Sequence, residues 1–423
     1  MSSIPAGYRV VELTADDWAE VEALDRWAAP EAADTVPDTP DGLPWERMTG
    51  FRDDKGRLAA VATAYDLAAF TLPGAQARTP GFTCMSVHPQ DRRRGLLRAM
   101  MGLHFERALA RGEALSVLTA SETGIYGRFG YAVASWNYAL TLPRHSPLAP
   151  PPGADREDLA VLIETVDPAR HTPAVNHVLA GAAWSGGLTR PGWTPRTEAW
   201  TKRRLSHLDD QPADGYEPRR IMLVQRQAEP MAYAVFARNG HFSCHGGSAS
   251  KVRLDETAAL DAAASHLLWS RLLDLDLTSV VEAPLLAPND PLFGLTLDLR
   301  GARAELHDGL WLRLLDVGRA LAQRQYAADV DLVIELTDDH LPANQGRWRL
   351  RAKAFADGTE VSRSGAGADL ACDVRALAAA YLGGASLAAL AAAGQVVELV
   401  PGSLARASAA FAWPVPAGCN WIF

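Results

Sequence analysis

At 423 residues and 45.4 kDa the chain is too long for one ordinary hydrophobic core, which excludes a single small domain and predicts two or three. A net charge of −9 and a pI near 5.7 exclude nucleic acid as the main partner and suit a cationic substrate. No window approaches about 18 charge-free apolar residues, and MSSIPAGYRVVEL lacks the basic flank and apolar core of a signal peptide, so neither a membrane span nor export is expected. The four cysteines, Cys84, Cys244, Cys372 and Cys419, have no framework spacing and read as reduced thiols of a cytoplasmic protein.

Residues 8–11 read as a first strand. Thr14-Ala15-Asp16-Asp17 has the spacing of a capping box and opens a helix with Trp18, Val21, Leu24 and Trp27 on one core-facing stripe. Residues 28–43, rich in Pro and Asp, predict a loop. Strands over 46–52 and 58–65 join at Asp54-Lys55-Gly56, a hairpin signal. A third strand covers 82–87. The helix that starts near Arg94 carries Leu97, Met100, Met101, Leu103, His104 and Leu109 toward the sheet. A strand over 115–118, a turn at Ser121-Glu122-Thr123-Gly124, a short helix over 125–129 and a strand over 136–142 that closes the sheet complete an α/β (α+β) unit. Its sheet is expected to be mixed and largely antiparallel.

Residues 145–153 form a proline-rich linker. A second α/β unit follows, with a hairpin over 221–226 and 231–238, a helix over 256–273 and a strand over 279–283. His241, Cys244 and His245 make an HxxCH cluster with no fourth ligand in view, so it reads as a strand end and no metal is expected. Pro288-Asn289-Asp290-Pro291 marks a second break. A third unit begins with Trp311-Leu312-Arg313-Leu314-Leu315 and residues 317–323. It continues with strands over 332–336 and 348–352 and alanine-rich helices over 375–382 and 386–393.

One stretch organises the chain: residues 82–101, FTCMSVHPQDRRRGLLRAMM. An apolar strand ends, His88-Pro89 breaks it, and three arginines and Gly95 lead into a helix. Helix N-termini favour anions through unpaired first-turn amides and the dipole, and a glycine lets backbone approach a pyrophosphate. By itself an arginine-rich turn reads equally as a solvated surface. Arg92-x-x-Gly95-x-Leu97 resembles the acetyl-CoA motif of the GNAT acyltransferases, with Leu97 in place of its last small residue. RRRGLLRAM followed by ASETGIYGRFGY (residues 120–131) resembles the Eis-type N-acetyltransferases. The resemblance implies tandem GNAT folds, a catalytic one over 1–146 and a degenerate one over 147–298. The second lacks the motif, because its expected helix start reads Arg253-Leu254-Asp255-Glu256. A sterol-carrier-protein-like α+β domain over 299–423 would follow, matched at residues 308–313 and 377–383, in a homo-hexamer.

The same resemblance implies acetyl-CoA as co-substrate. Backbone groups of Met85, Ser86 and Val87 would pair with the pantetheine arm as an added strand. Arg93, Arg94, Gly95, Leu96, Leu97 and Arg98 would surround the pyrophosphate, with Arg92 as a further charge and Ser121 and Glu122 reaching the cofactor. Tyr126 would donate a proton to the departing thiolate, with Tyr131 as nearby competitor. Since the thiol's reference pKa is about 8.5, that donation is expected to be near thermoneutral or downhill. The terminal carboxylate of Phe423, with a reference pKa of about 3.3–3.7, would accept the proton of the amine. Asp25, Trp27 and Phe82, with Trp45 and Glu46, are candidates for the acceptor wall. The loop acids Asp34, Asp38 and Asp41 would attract an amine, and Ile422 stands where some members carry an acid. The expected reaction is acetylation of amines on aminoglycoside-like polycations, at several positions. Protein-lysine or polyamine acetylation is the alternative within the class. A lipid carrier with inert GNAT units is the alternative outside it.

Overall fold

The computed structural model describes residues 4–28, 43–152, 158–210, 215–240 and 250–423. They form two compact units. One joins residues 1–135 to 308–417 and Phe423, and the other joins 136–307 to 418–422. The loop acids Asp34, Asp38 and Asp41 and the HxxCH cluster lie outside the described residues. Among those residues no helix is long and apolar enough to cross a membrane.

The first unit is built on a seven-stranded sheet. Its elements are β1 (Tyr8–Glu12), α1 (Trp18–Ala28), β2 (Thr49–Asp53), β3 (Leu58–Leu72), β4 (Ala75–Val87), α2 (Leu96–Ala110), β5 (Leu115–Thr119), α3 (Thr123–Tyr126) and β6 (Ala132–Val133). The capping box forms, with Thr14 N donating to Asp17 Oδ2 at 2.9 Å ahead of α1. Along α1, Val21 and Leu24 are buried and Trp18 is half-buried, but Trp27 is 64% exposed. A repeat of three falls short of the 3.6-residue turn, so three such steps carry the stripe about 180° around the helix. Helix α2 buries Leu96, Ala99, Met100, Met101, His104, Phe105 and Ala108 in a core shared with Phe51, Phe82, Leu118 and Tyr131.

The strand that completes this sheet is not the expected one. Leu310–Leu314 lies antiparallel to β5, with Leu310 opposite Thr119 and Leu314 opposite Leu115, and it also pairs with β6. The 136–142 segment instead forms the strand Trp136–Pro143, antiparallel to Val280–Leu286 in the second unit's sheet. Local pattern sets that a segment is extended and which faces it buries. It does not name the neighbour.

The second unit's sheet runs in the order Arg303–Asp308, Trp136–Pro143, Val280–Leu286, Lys251–Ala259, Glu229–Arg238, Arg220–Arg226, Leu159–Thr165. The predicted hairpin is present, with Val224 opposite Ala232. The helix expected over 256–273 begins only at Ala262, where Asp261 caps the Ala264 amide at 2.7 Å. Residues 251–259 are a strand burying every second side chain: Val252, Leu254, Glu256 and Ala258. Glu256 disguises that alternation; it is buried because Arg196, also buried, pairs with it at 3.0 Å.

Beyond Leu314 the first unit continues with a five-stranded sheet ordered Glu360–Arg363, Gly346–Ala352, Val330–Thr337, Leu370–Asp373, Val396–Glu398. The helices Val374–Tyr381, Leu387–Ala392 and Ser403–Phe411 accompany it.

His104 gives the first unit a pH dependence. Its ring is enclosed, stacked on Phe82 at 4.0 Å, with Nε2 2.7 Å from Ser116 Oγ, and burial pushes its pKa down to about 3. The unfolded chain takes up a proton near pH 6.5 that the folded chain refuses, so stability is complete above that pH and declines below it. Between pH 6.5 and 5 the loss is about 2 kcal/mol. Urea denaturation at the two pH values checks this, and His104→Gln should flatten the dependence.

Candidate active site

The cofactor side of the site starts where β4 and β5 part. These parallel strands register only at Gly81 opposite Val117, among the described residues, while β4 runs on to Val87 paired with β3 on its other edge. A bulge sharpens the divergence. Thr83 faces Thr63 but Ser86 faces Val61, and Cys84 has a positive φ of 50°. Met85 and Val87 are half-buried and Ser86 is buried.

The arginine turn follows. Its backbone is left-handed at Arg93 (φ 63°) and Gly95 (φ 86°), on either side of Arg94. The first helical bond onto the turn is Ala99 N to Gly95 O at 3.0 Å. The amides of Leu96, Leu97 and Arg98 precede it, as first-turn amides do. Arg92, Arg93, Arg94 and Arg98 are all exposed. Leu96 is buried, and Leu97 packs against the core of α2 and the sheet, which is how this turn accommodates a leucine there. Asp91 braces the turn from beneath, accepting from Tyr8 Oη at 2.7 Å and Arg57 Nη2 at 2.6 Å. Burial works against its charge, but those two hydrogen bonds together with the Arg57 and Arg94 charges hold the carboxyl below its usual range. Arg94 also donates to Tyr8 Oη at 3.2 Å.

The chemical side sits at the C-terminal end of β5. Ser121 and Glu122 are exposed, and Tyr126, four residues on, is buried against Tyr131 and Trp311 with ring centroids 6.3 and 6.4 Å away. Burial pushes the Tyr126 phenol up from its ordinary value of 10.0, and the Ser121 hydroxyl pulls it partly back. Tyr131 is the more enclosed. Its hydroxyl is 2.7 Å from Ser116 Oγ, in a chain that runs on to His104, and burial pushes its pKa up. The raised phenol works against the expected near-thermoneutral donation to a thiolate whose reference pKa is about 8.5.

Thr119, the last residue of β5, donates from Oγ1 to the Phe423 backbone oxygen at 2.8 Å. The Phe423 ring stands edge-on to Tyr65 at 6.3 Å, and a Cβ on Gly81 would come within 2.8 Å of it. Phe423 therefore lies against the point where β4 leaves β5.

The acceptor-wall candidates divide. Asp25 accepts from Ser86 Oγ at 2.6 Å. Trp27 projects outward beside His88, with centroids 5.5 Å apart. The Phe82 ring is taken up by its stack on His104 in the core. Trp45 packs edge-on to Trp18 beside an exposed Glu46. Thr119 and Trp311 were not picked out in the sequence. A threonine ending a strand carries no signal, and Trp311 reaches the site only through the unforeseen pairing of its strand with β5.

Residues 9–134 match the Acetyltransferase (GNAT) domain family, 192–314 match a second Acetyltransferase (GNAT) domain family, and 317–420 match the Sterol carrier protein domain family. The fold is thus two GNAT units followed by a sterol-carrier-protein-like domain. An uncharacterized N-acetyltransferase of Streptomyces coelicolor is 38% identical over 87% of this chain and 85% of its own. N-acetyltransferase Eis of Mycobacterium tuberculosis is 31% identical over 88% of this chain and 89% of its own. The crystal structure of Eis1 from Mycobacterium abscessus superposes with a TM-score of 0.78 at 27% identity, covering 98% of this chain and 100% of that one.

Gly95→Ala tests the backbone geometry of the turn. The nearest atom to an added Cβ is Pro5 Cγ at 3.6 Å, so there is room for the methyl group and the cost is conformational. A left-handed alanine should lower stability by about 1 kcal/mol, read as a shift in the urea midpoint at unchanged slope.

Proposed function

Because the chain belongs to the Eis-type family of GNAT N-acetyltransferases, we propose that its first GNAT unit transfers acetyl from acetyl-CoA to amines of aminoglycoside-like polycations, at more than one position. In this reading residues 1–146 are the catalytic module, 147–298 a degenerate GNAT module, and 299–423 the module that supplies the terminal carboxylate, in a cytoplasmic homo-hexamer. GNAT domains generally use acetyl-CoA as co-substrate. The observation that carries the reading is the parting of β4 from β5, with the arginine turn after β4 and Tyr126 and Phe423 both at the end of β5.

Each part has a task. The edge of β4 at Met85, Ser86 and Val87 offers backbone groups to the pantetheine arm. The left-handed turn and Arg93, Arg94 and Arg98 meet the pyrophosphate. A neutral amine attacks the thioester carbonyl, the C–S bond breaks, and Tyr126 protonates the sulfur as it leaves. The proton shed by the new amide nitrogen passes to the terminal carboxylate, which Thr119 orients through its 2.8 Å hydrogen bond. Such a carboxylate is a weak base, so its part is to take the proton only once attack has made the nitrogen positively charged and acidic. The net charge of −9 favours arrival of a polycation.

The test is release of free CoA thiol from acetyl-CoA with and without kanamycin. Kanamycin-dependent release is expected. Tyr126→Phe should lower kcat about a hundredfold or more with acetyl-CoA affinity kept. Arg93→Ala with Arg94→Ala should chiefly weaken acetyl-CoA binding, and removal of Phe423 should lower kcat. Unchanged turnover in Tyr126→Phe would refute the proton-donor assignment. Tight acetyl-CoA binding without turnover of any aminoglycoside would refute the acceptor class.

A further inference from the structure

Acidic side chains of the first unit that are buried or half-buried around its sheet are mostly neutralised by arginine. Asp91 pairs with Arg57 at 2.6 Å, Asp66 with Arg47 and Arg78, and Glu113 with Arg47 at 2.8 Å. Asp25 stands apart. Among the described residues its hydrogen-bond partner is a neutral hydroxyl, Ser86 Oγ at 2.6 Å. Its neighbour Arg26 is engaged by Glu22, also at 2.6 Å. Asp25 lies in the last turn of α1, where the dipole disfavours a negative charge, so helix stability does not account for a carboxylate there.

A hydroxyl donor and a guanidinium partner do different things to a carboxylate. Arginine fixes it and cancels its charge. Serine fixes one oxygen and leaves the charge whole, with lone pairs to spare for a cation. Ser86 is itself held rigidly, buried in β4 opposite Val61, within the three residues whose backbone would carry the pantetheine arm. Asp25, half-exposed, is thus tied beside the cofactor strand with its charge unspent.

We propose that Asp25 is the carboxylate that recognises the ammonium of the acceptor, and that Ser86 is a positioning residue acting through Asp25. This rests on the N-acetyltransferase reading above and deepens it. It gives Ser86 a second part: its backbone faces the cofactor, while its side chain serves the acceptor.

Steady-state kinetics with kanamycin and with spermine test it, in wild type, Ser86→Ala, Ser86→Thr, Asp25→Asn and the Ser86→Ala/Asp25→Asn double variant, alongside direct titration of acetyl-CoA. Ser86→Ala should raise the KM of both amines roughly tenfold, the scale of one hydrogen bond to a charged group. Its acetyl-CoA dissociation constant should stay within about twofold, and Ser86→Thr should restore the amine KM. Asp25→Asn should raise amine KM at least as much and weaken its dependence on salt, and the double variant should match Asp25→Asn alone. Additive effects in the double variant would separate the two residues and overturn the proposal. So would a Ser86→Ala defect confined to acetyl-CoA binding, or amine KM values that neither single change moves. Wild type that binds acetyl-CoA yet acetylates neither amine would instead bring down the acceptor class, a failure visible before any variant is made.

Discussion

The first unit depends on one act of strand pairing, the lodging of Leu310–Leu314 between β5 and β6. Leu310, Leu312 and Leu314 are buried, and so is Arg313, whose Nη2 meets both oxygens of Asp338 at 2.7 and 2.8 Å while its guanidinium lies over Phe105. Breaking such a buried pair from one side costs about 3–5 kcal/mol, because the remaining charge is left uncompensated. Asp338 is further tied to Asn344 and to the backbone of His340 and Leu341. The sheet that carries Tyr126 is therefore pinned to the region after residue 314, and the sterol-carrier-like portion is part of the first unit's framework.

Within that framework the two tyrosines differ in their surroundings. Tyr131 lies deeper, over the core of α2, and its hydroxyl is committed to Ser116 and through it to His104. Tyr126 follows the exposed turn after β5, and Ser121 from that turn helps set its acidity. Trp311 supplies a wall beside it, so a residue nearly two hundred positions downstream shapes the surroundings of the proposed acid.

What was legible in the sequence was local. The capping box at Thr14, the strand-to-turn-to-helix sense of residues 82–101, and the hairpin at 221–238 all show as expected, since each depends on spacing within a few residues. The family resemblance rode on the same short motifs. Partnership was not legible. The exchange of Trp136–Pro143 for Leu310–Leu314 joins segments far apart in sequence, both short and apolar. The alternation of 251–259 was hidden by a glutamate whose inward position makes sense only once Arg196 is seen against it. Site residues split along the same line. The arginine turn announces itself, whereas Thr119, Trp311 and the tie from Ser86 to Asp25 arise from the three-dimensional arrangement.

The raised pKa of Tyr126 bears on how proton donation would proceed. Handing a proton from a phenol above 10 to a free thiolate near 8.5 is uphill, so a stepwise route through a fully formed, solvated thiolate gains nothing from this residue. Burial acts on both partners, however. The desolvation that makes Tyr126 a poorer acid would also make a thiolate expelled beside it a stronger base. Transfer becomes favourable only as the C–S bond lengthens and charge builds on sulfur within the buried site. In the proposed mechanism an acid matched in this way would be idle toward the intact thioester, which would limit wasteful hydrolysis, and would be engaged only when an amine has begun to attack.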